Sequence, residues 1–280
     1  MVAMPFISLT SWSLHRNLGP LRWTRWDDNV QTQFTEAQDQ PELISLLELP
    51  AVLAEKGFES LEVCHFHFPE TNEAYLRTLK EAFKDAGLRF YTLLLEYGDI
   101  SSSNDVRRQS DLAWIKGWID VAARAGAERV RVIAGEADPS DKDALARSIE
   151  ALRVLGQYGK EHGVRVVTEN FKSLSSTGDN CLAIIEGCGE VIGFTSDFGN
   201  FKGDQKFAEL LQTIPWSESI HAKAQTNADG IPDEAEFIRC LNIAKEAGYE
   251  GPLTLVYDGP GDMWEGIERV RKLAEPFCSN

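Results

Sequence analysis

The sequence predicts a single (β/α)8 TIM barrel over residues 1–280, and three observations carry that expectation. Eight short apolar runs alternate strictly with eight amphipathic stretches. No glycine-rich phosphate turn of the GxGxxG or Walker type follows an early run, so an open doubly wound sheet has little support. The chain is long enough to bury one large α/β core, and no linker, low-complexity segment or repeat beyond the βα period interrupts it.

The first predicted strand, 6–11, opens on Phe6-Ile7. A connection at 16–40 then separates it from helix 41–56 and carries Trp23, Trp26 and Phe34 among polar residues. A loop this long after a strand lies at the C-terminal mouth of a barrel, and it is read as a lid. Its tryptophans either stack on a sugar ring or exclude water, or they plug the barrel top or sit in an oligomer interface. Strand 60–66 follows Gly57, and helix 72–86 closes at Gly87 before strand 89–95. Helix 111–125 closes at Gly126 before strand 129–134. Helix 141–162 opens at Asp141 and closes at Gly163 before strand 165–169. Helices 180–187 and 204–212 precede strands 192–197 and 218–223. Helix 233–247 closes at Gly248, and strand 253–257 and helix 262–276 end the chain. Asp or Asn at a helix start satisfies its unpaired N–H groups, and Gly at its end supplies a left-handed turn. The strands are apolar and rich in β-branched or aromatic residues, as expected of strands buried on both faces.

Formal net charge is -16 and no basic groove is evident in the sequence, so the surface repels phosphate backbones and nucleic acid is not expected as a partner. No apolar run approaches the roughly 18 residues a bilayer requires, and the N-terminus shows no basic region followed by a long apolar one. Neither a membrane nor a secretory signal is therefore expected. The cysteines, Cys64, Cys181, Cys188, Cys240 and Cys278, are odd in number, scattered and without a CxxC pair. That usage fits reduced thiols and a cytoplasmic location.

Three side chains lie at or near the ends of successive predicted strands: Glu169 in Val166-Val167-Thr168-Glu169, Asp197 in Phe194-Thr195-Ser196-Asp197, and His221 in Ser219-Ile220-His221. On parallel neighbours of a barrel they converge on one mouth, and two carboxylates with one imidazole make a divalent-metal ligand set. His221 and Lys223 alternate with Ile220 and Ala222 and so point to one side of their strand. Asn200, three residues beyond Asp197, is a candidate substrate contact.

Around these residues the chain resembles the xylose isomerase-like barrel superfamily, in its sugar phosphate isomerase/epimerase branch. The likeness runs from Ile7-Ser8-Leu9 to the last helix. It includes Gly57-Phe58-Glu59-Ser60-Leu61-Glu62, the stretch ending at Ala127 before Arg129-Val130-Arg131-Val132, and Gly163 before the fifth strand. The resemblance implies that Glu169, Asp197 and His221 bind one divalent ion (Mn, Mg, Co or Zn). It also implies an isomerase or epimerase that moves a proton on a sugar or sugar derivative through a metal-stabilised enediolate. Asn200 stands where the family has His, and Ala224 where it has Asp.

The main departure is on the eighth strand. The family's Gly-Tyr-x-Gly is present as Gly248-Tyr249-Glu250-Gly251, but Val256 occupies the position of a second metal-binding glutamate. Glu169 is then the first candidate base, with Asp258 or His67 as its partner. A lyase or dehydratase acting on a keto-sugar or keto-cyclitol, or a non-catalytic sugar-binding barrel, are the alternatives. An abasic-site endonuclease is disfavoured by net charge and by five histidines in all.

His65 and His67 alternate on the second predicted strand and share a face near its C-terminal end; they either hold substrate hydroxyls or supply the missing base, or are simply one core and one loop histidine. Glu96 and Lys223 complete the candidate substrate contacts with Trp23 and Trp26. Glu62 is expected to pair with a buried Lys or Arg, and Arg131 with Glu62 or Glu169. The expected partner is a small carbohydrate, and exposed helices with the lid tryptophans allow a homo-oligomer.

Overall fold

Eight parallel strands close into a barrel whose helices lie between successive strands on the outside. The structure is a computed structural model and describes residues 4–278. The barrel strands are β1 (Phe6–Thr10), β4 (Ser60–Cys64), β5 (Arg89–Leu94), β6 (Arg129–Arg131), β7 (Arg165–Glu169), β8 (Gly193–Asp197), β9 (Ser217–Lys223) and β10 (Pro252–Val256). Each pairs in parallel with its neighbours in chain order, and β1 closes the circle between β10 and β4. The helices are α1 (Leu49–Glu55), α2 (Glu73–Ala86), α3 (Asp105–Ala125), α4 (Lys142–Glu161), α5 (Gly178–Cys188), α6 (Lys206–Thr213), α7 (Glu234–Glu246) and α8 (Met263–Ala274).

Capping chemistry sets many of these boundaries. Side chains of Asn72, Asp141, Asp233 and Asp262 accept from the backbone N–H groups of Tyr75, Ala144, Glu236 and Glu265. Gly87 and Gly126 end α2 and α3 with φ of 65° and 82°, a conformation that side chains with a Cβ rarely adopt. The first helix is shorter than its predicted range 41–56. Pro50 has no N–H to donate and is tolerated only in a first turn, so the helix begins at Leu49. The third helix is longer than predicted, because the Asn104 side chain caps both Val106 and Arg107.

The strands are not apolar on both faces. Ile7, Leu9, Leu61, Val63, Val130, Val166, Ile220, Leu253 and Leu255 face the helices and join the main core. The alternate residues point into the barrel and include Ser8, Thr10, Ser60, Glu62, Arg131, Glu169, Ser219, His221 and Thr254, all buried. The closed cylinder therefore encloses a polar interior.

The connection after β1 is an antiparallel hairpin of β2 (Leu21–Asp27) and β3 (Thr32–Gln38), where a loop was expected. A two-stranded ribbon is marginal alone, and this one is pinned to the N-terminal part of α3. Gln33 Nε2 donates to Asp111 Oδ1 at 3.0 Å, Ser110 Oγ donates to Gln33 Oε1 at 2.9 Å, and Asn104 Nδ2 donates to Gln31 Oε1 at 3.1 Å. Asp111 is fully buried and also accepts from the Tyr97 hydroxyl at 2.5 Å and the Asp99 backbone N–H at 2.8 Å. The hairpin is thus tied to α3, and its Trp23 lines the mouth.

Asp111→Ala leaves those buried donors unpaired and is expected to cost about 3 kcal/mol of stability. Urea unfolding measures the loss, and amide exchange across 21–38 is expected to speed up. A change of only a few tenths of a kcal/mol would show that the hairpin is held elsewhere.

Candidate metal centre at the barrel mouth

Strand register brings the three candidate ligands together. Glu169 pairs with Thr195 across β7 and β8, and Asp197 pairs with His221 across β8 and β9. A register shift between Phe194 and Thr195 lets β9 slip one residue relative to β8, opposing Ser217 to Phe194 and Ser219 to Thr195. Irregularities of this kind re-aim side chains, and here the shift sets His221 level with Asp197 and on the same side. One ligand atom from each of Glu169, Asp197 and His221 lies within 4.8 Å of the others, and all three residues are buried.

Hydrogen bonds hold the set in place. Asn170 locks the ends of β7 and β8, its Nδ2 donating to the Asp197 carbonyl at 3.0 Å and its Oδ1 accepting from the Asp197 N–H at 2.7 Å. Asp197 Oδ1 accepts from the Gly199 N–H at 2.5 Å. Glu169 Oε1 accepts from Asn200 Nδ2 at 3.1 Å and lies 3.3 Å from His221 Nδ1. Glu169 Oε2 lies 3.0 Å from Arg131 Nε, but the two are misaligned and neither has a hydrogen-bond partner among the described residues. The other ring nitrogen of His221, Nε2, is 2.9 Å from Glu62 Oε2. Glu62 therefore pairs with a histidine where a Lys or Arg was expected.

The ligand set forms one side of a cavity of about 190 Å³. Trp12, Trp23 and Phe171 give it apolar surface, and Asn200, Glu96, Lys223 and Asp258 line it as well. Trp12 and Trp23 pack against Phe66 at centroid distances of 6.0 and 4.4 Å. A larger groove of about 560 Å³ lies at the opposite end of β7, beside Arg165 and Glu190, and contains none of the three ligands.

Two cations answer five carboxylates here. Arg131 sits between Glu96 and Glu169, and Lys223 Nζ is 2.5 Å from Asp258 Oδ2. Among the described residues, Glu62 and Asp197 have only His221 as a basic partner within 4 Å. Burial disfavours a charge on His221, but Glu169 and Glu62 overcome it and raise its pKa well above 6.5. Burial raises the Asp197 carboxyl to about 6, and the neighbouring Glu169 charge adds to the effect. A pocket this rich in uncompensated carboxylate, with a buried carboxylate oxygen lacking a hydrogen bond, fits a divalent cation by charge and by donor type.

The remaining candidates are placed differently. Strand β4 ends at Cys64, and His65–His67 form a 3-10 turn, so His65 and His67 do not alternate along a strand. His65 Nδ1 accepts from the Glu96 N–H at 3.1 Å, and its ring packs edge-on against Trp114 and Trp118. His67 Nδ1 meets Ser11 Oγ at 2.8 Å. Burial lowers both imidazoles to about 3, and neither lines the cavity. Trp26 also lies outside it, its indole N–H donating to Asp28 Oδ1 at 2.9 Å. Trp12 and Phe171 line the cavity without being among the sequence candidates, and their places two residues beyond the ends of β1 and β7 are the available signal.

Among the described residues no helix is long and apolar enough to cross a membrane, and all five cysteines are free thiols. No curated protein matches the sequence. Several solved structures share the fold. An L-ribulose 3-epimerase aligns at 17% identity and TM-score 0.68 over 99% of each chain. The probable 3-DHS dehydratase AsbF of Bacillus anthracis, involved in petrobactin synthesis, aligns at 17% identity and TM-score 0.69, covering 96% of this chain and 98% of its own. A xylose isomerase-like TIM barrel protein from Mycobacterium smegmatis, in complex with magnesium, aligns at 16% identity and TM-score 0.67, over 98% and 97%. Identities this low speak to the fold alone. The family model for the xylose isomerase-like TIM barrel matches residues 50–273, and the chain belongs to that family.

Proposed function

We propose that this protein is a divalent-metal-dependent isomerase or epimerase acting on a sugar or sugar derivative. The carrying observation is the meeting of Glu169, Asp197 and His221 within 4.8 Å beside a cavity with aromatic walls. Mn, Mg, Co or Zn would suit two carboxylates and one imidazole. When bound, such an ion supplies positive charge against the negative charge that develops on a substrate oxygen.

The chain's own residues provide the rest. Glu169 removes a proton from the carbon beside the substrate carbonyl, Asp258 on the cavity wall is the group to return one, and Asn200 fixes Glu169 Oε1. Trp12, Trp23 and Phe171 exclude water and cover the apolar face of a ring. A cavity near 190 Å³ lies below the range of about 300–1,000 Å³ typical of drug-sized ligands, which favours a single small ring. The magnesium complex and the epimerase among the similar structures support this reading by analogy.

A second reading has its own support. Val256 lines the cavity where the family's second glutamate would stand, and Asp258 is held by Lys223. With Glu169 as the single base, a lyase or dehydratase reaction on a keto-sugar or keto-cyclitol needs no second proton carrier. Incubating the metal-loaded protein in D2O with a panel of ketoses and keto-cyclitols separates the readings. Epimerisation places solvent deuterium in product and recovered substrate, whereas elimination gives an ultraviolet-absorbing unsaturated product. Glu169→Gln is expected to slow either reaction at least about a hundredfold. Ligand binding with neither outcome contradicts both and leaves a non-catalytic sugar-binding barrel.

Metal binding is expected to depend on pH with a fixed sign. A cation needs His221 Nδ1 and the Asp197 carboxylate free of protons, and both groups hold protons more tightly than usual. Affinity for Mn2+ therefore rises with pH, and isothermal titration is expected to show at least about a tenfold gain between pH 5.5 and pH 8. A flat profile with intact folding contradicts the assignment of these ligands.

A further inference from the structure

We infer that Glu62, on the inner face of β4, is the positioning residue that orients His221 for metal binding. The inference rests on reading the mouth as a divalent-metal site. Glu62 is fully buried and lies outside the cavity lining, so it does not touch substrate. A buried carboxylate is costly unless it is paired and its oxygens are satisfied. Arg131 is committed to Glu96 and Glu169, and Lys223 to Asp258. The basic partner of Glu62 is His221.

The geometry is that of a strut across the barrel. Glu62 Oε1 accepts from Ser219 Oγ at 2.8 Å and Thr254 Oγ1 at 2.9 Å, which fixes the carboxylate plane from β9 and β10. Oε2 is left to His221 Nε2 at 2.9 Å. A carboxylate there requires the proton on Nε2, and the opposite nitrogen, Nδ1, then faces Glu169 Oε1 at 3.3 Å and Asp197 Oδ2 at 3.8 Å. Metal-bound histidines are commonly held in one tautomer by a carboxylate on the far nitrogen, and loss of that partner typically weakens metal binding by about 10–100-fold.

Glu62→Gln tests this while preserving shape. Mn2+ affinity is read by isothermal titration, and the His221 ring nitrogens by 15N NMR of the Zn2+-loaded protein. The expected result is an affinity loss of about 10–100-fold and an altered His221 15N signal, with the melting temperature of the metal-free protein little changed. A purely structural role would move the melting temperature and leave the affinity of the folded fraction intact. If wild-type protein binds no metal, the metal reading itself falls. If wild type binds and Glu62→Gln binds equally with an unchanged His221 signal, only the role of Glu62 falls. Should Glu62→Gln fail to fold, Thr254→Val removes one of the hydroxyls aiming the carboxylate. An affinity loss of about three- to tenfold then supports the role, and an unchanged affinity overturns it.

Discussion

The rest of the molecule is arranged around an excess of carboxylate in a dry place. Glu62, Glu169 and Asp197 are buried inside the barrel, and Glu96 and Asp258 stand at its rim. Arg131 and Lys223 answer part of that charge, and His221 is drawn between Glu62, Glu169 and Asp197. Negative charge concentrated away from water is unstable alone, so each member of the cluster constrains the others. Hydroxyls from Ser219 and Thr254 and the amides of Asn170 and Asn200 then absorb the remaining lone pairs. This explains why the barrel interior departs from the branched apolar filling common in such folds.

Small irregularities in the sheet convert that composition into a site. The shift between β8 and β9 sets His221 level with Asp197, and another between Leu61 and Glu62 adjusts β4 against β5. The hairpin β2–β3, fixed to α3 through Asp111, places Trp23 at the same mouth. The apolar outer faces of the strands, packed on the helices, hold these polar placements rigid.

Much of the architecture was legible because it rests on local rules. Alternation of apolar runs with capped amphipathic stretches foretold the closed barrel, and the ends of three runs located Glu169, Asp197 and His221 on neighbouring strands. The hairpin was not legible as such. Its residues Arg22 to Trp26 and Gln33 to Ala37 are mostly polar on both faces, so hydrophobic periodicity carries no signal there. The turn at His65–His67 has no glycine or proline to announce the end of β4, so the predicted strand runs past Cys64 to residue 66. Pairings across the barrel were also beyond sequence reach. Arg131 was expected near Glu62 or Glu169 and pairs with Glu169 and Glu96, while Glu62 pairs with His221. Such choices depend on how far the barrel turns between strands, which no spacing along the chain encodes.

The most direct test is a crystal of this protein grown with Mn2+ and measured at an energy where manganese scatters anomalously. A single strong peak between the Glu169 and Asp197 carboxylates and His221 Nδ1, with Nε2 still on Glu62, is the predicted result. No peak at millimolar metal, or a peak away from these three side chains, would contradict the account.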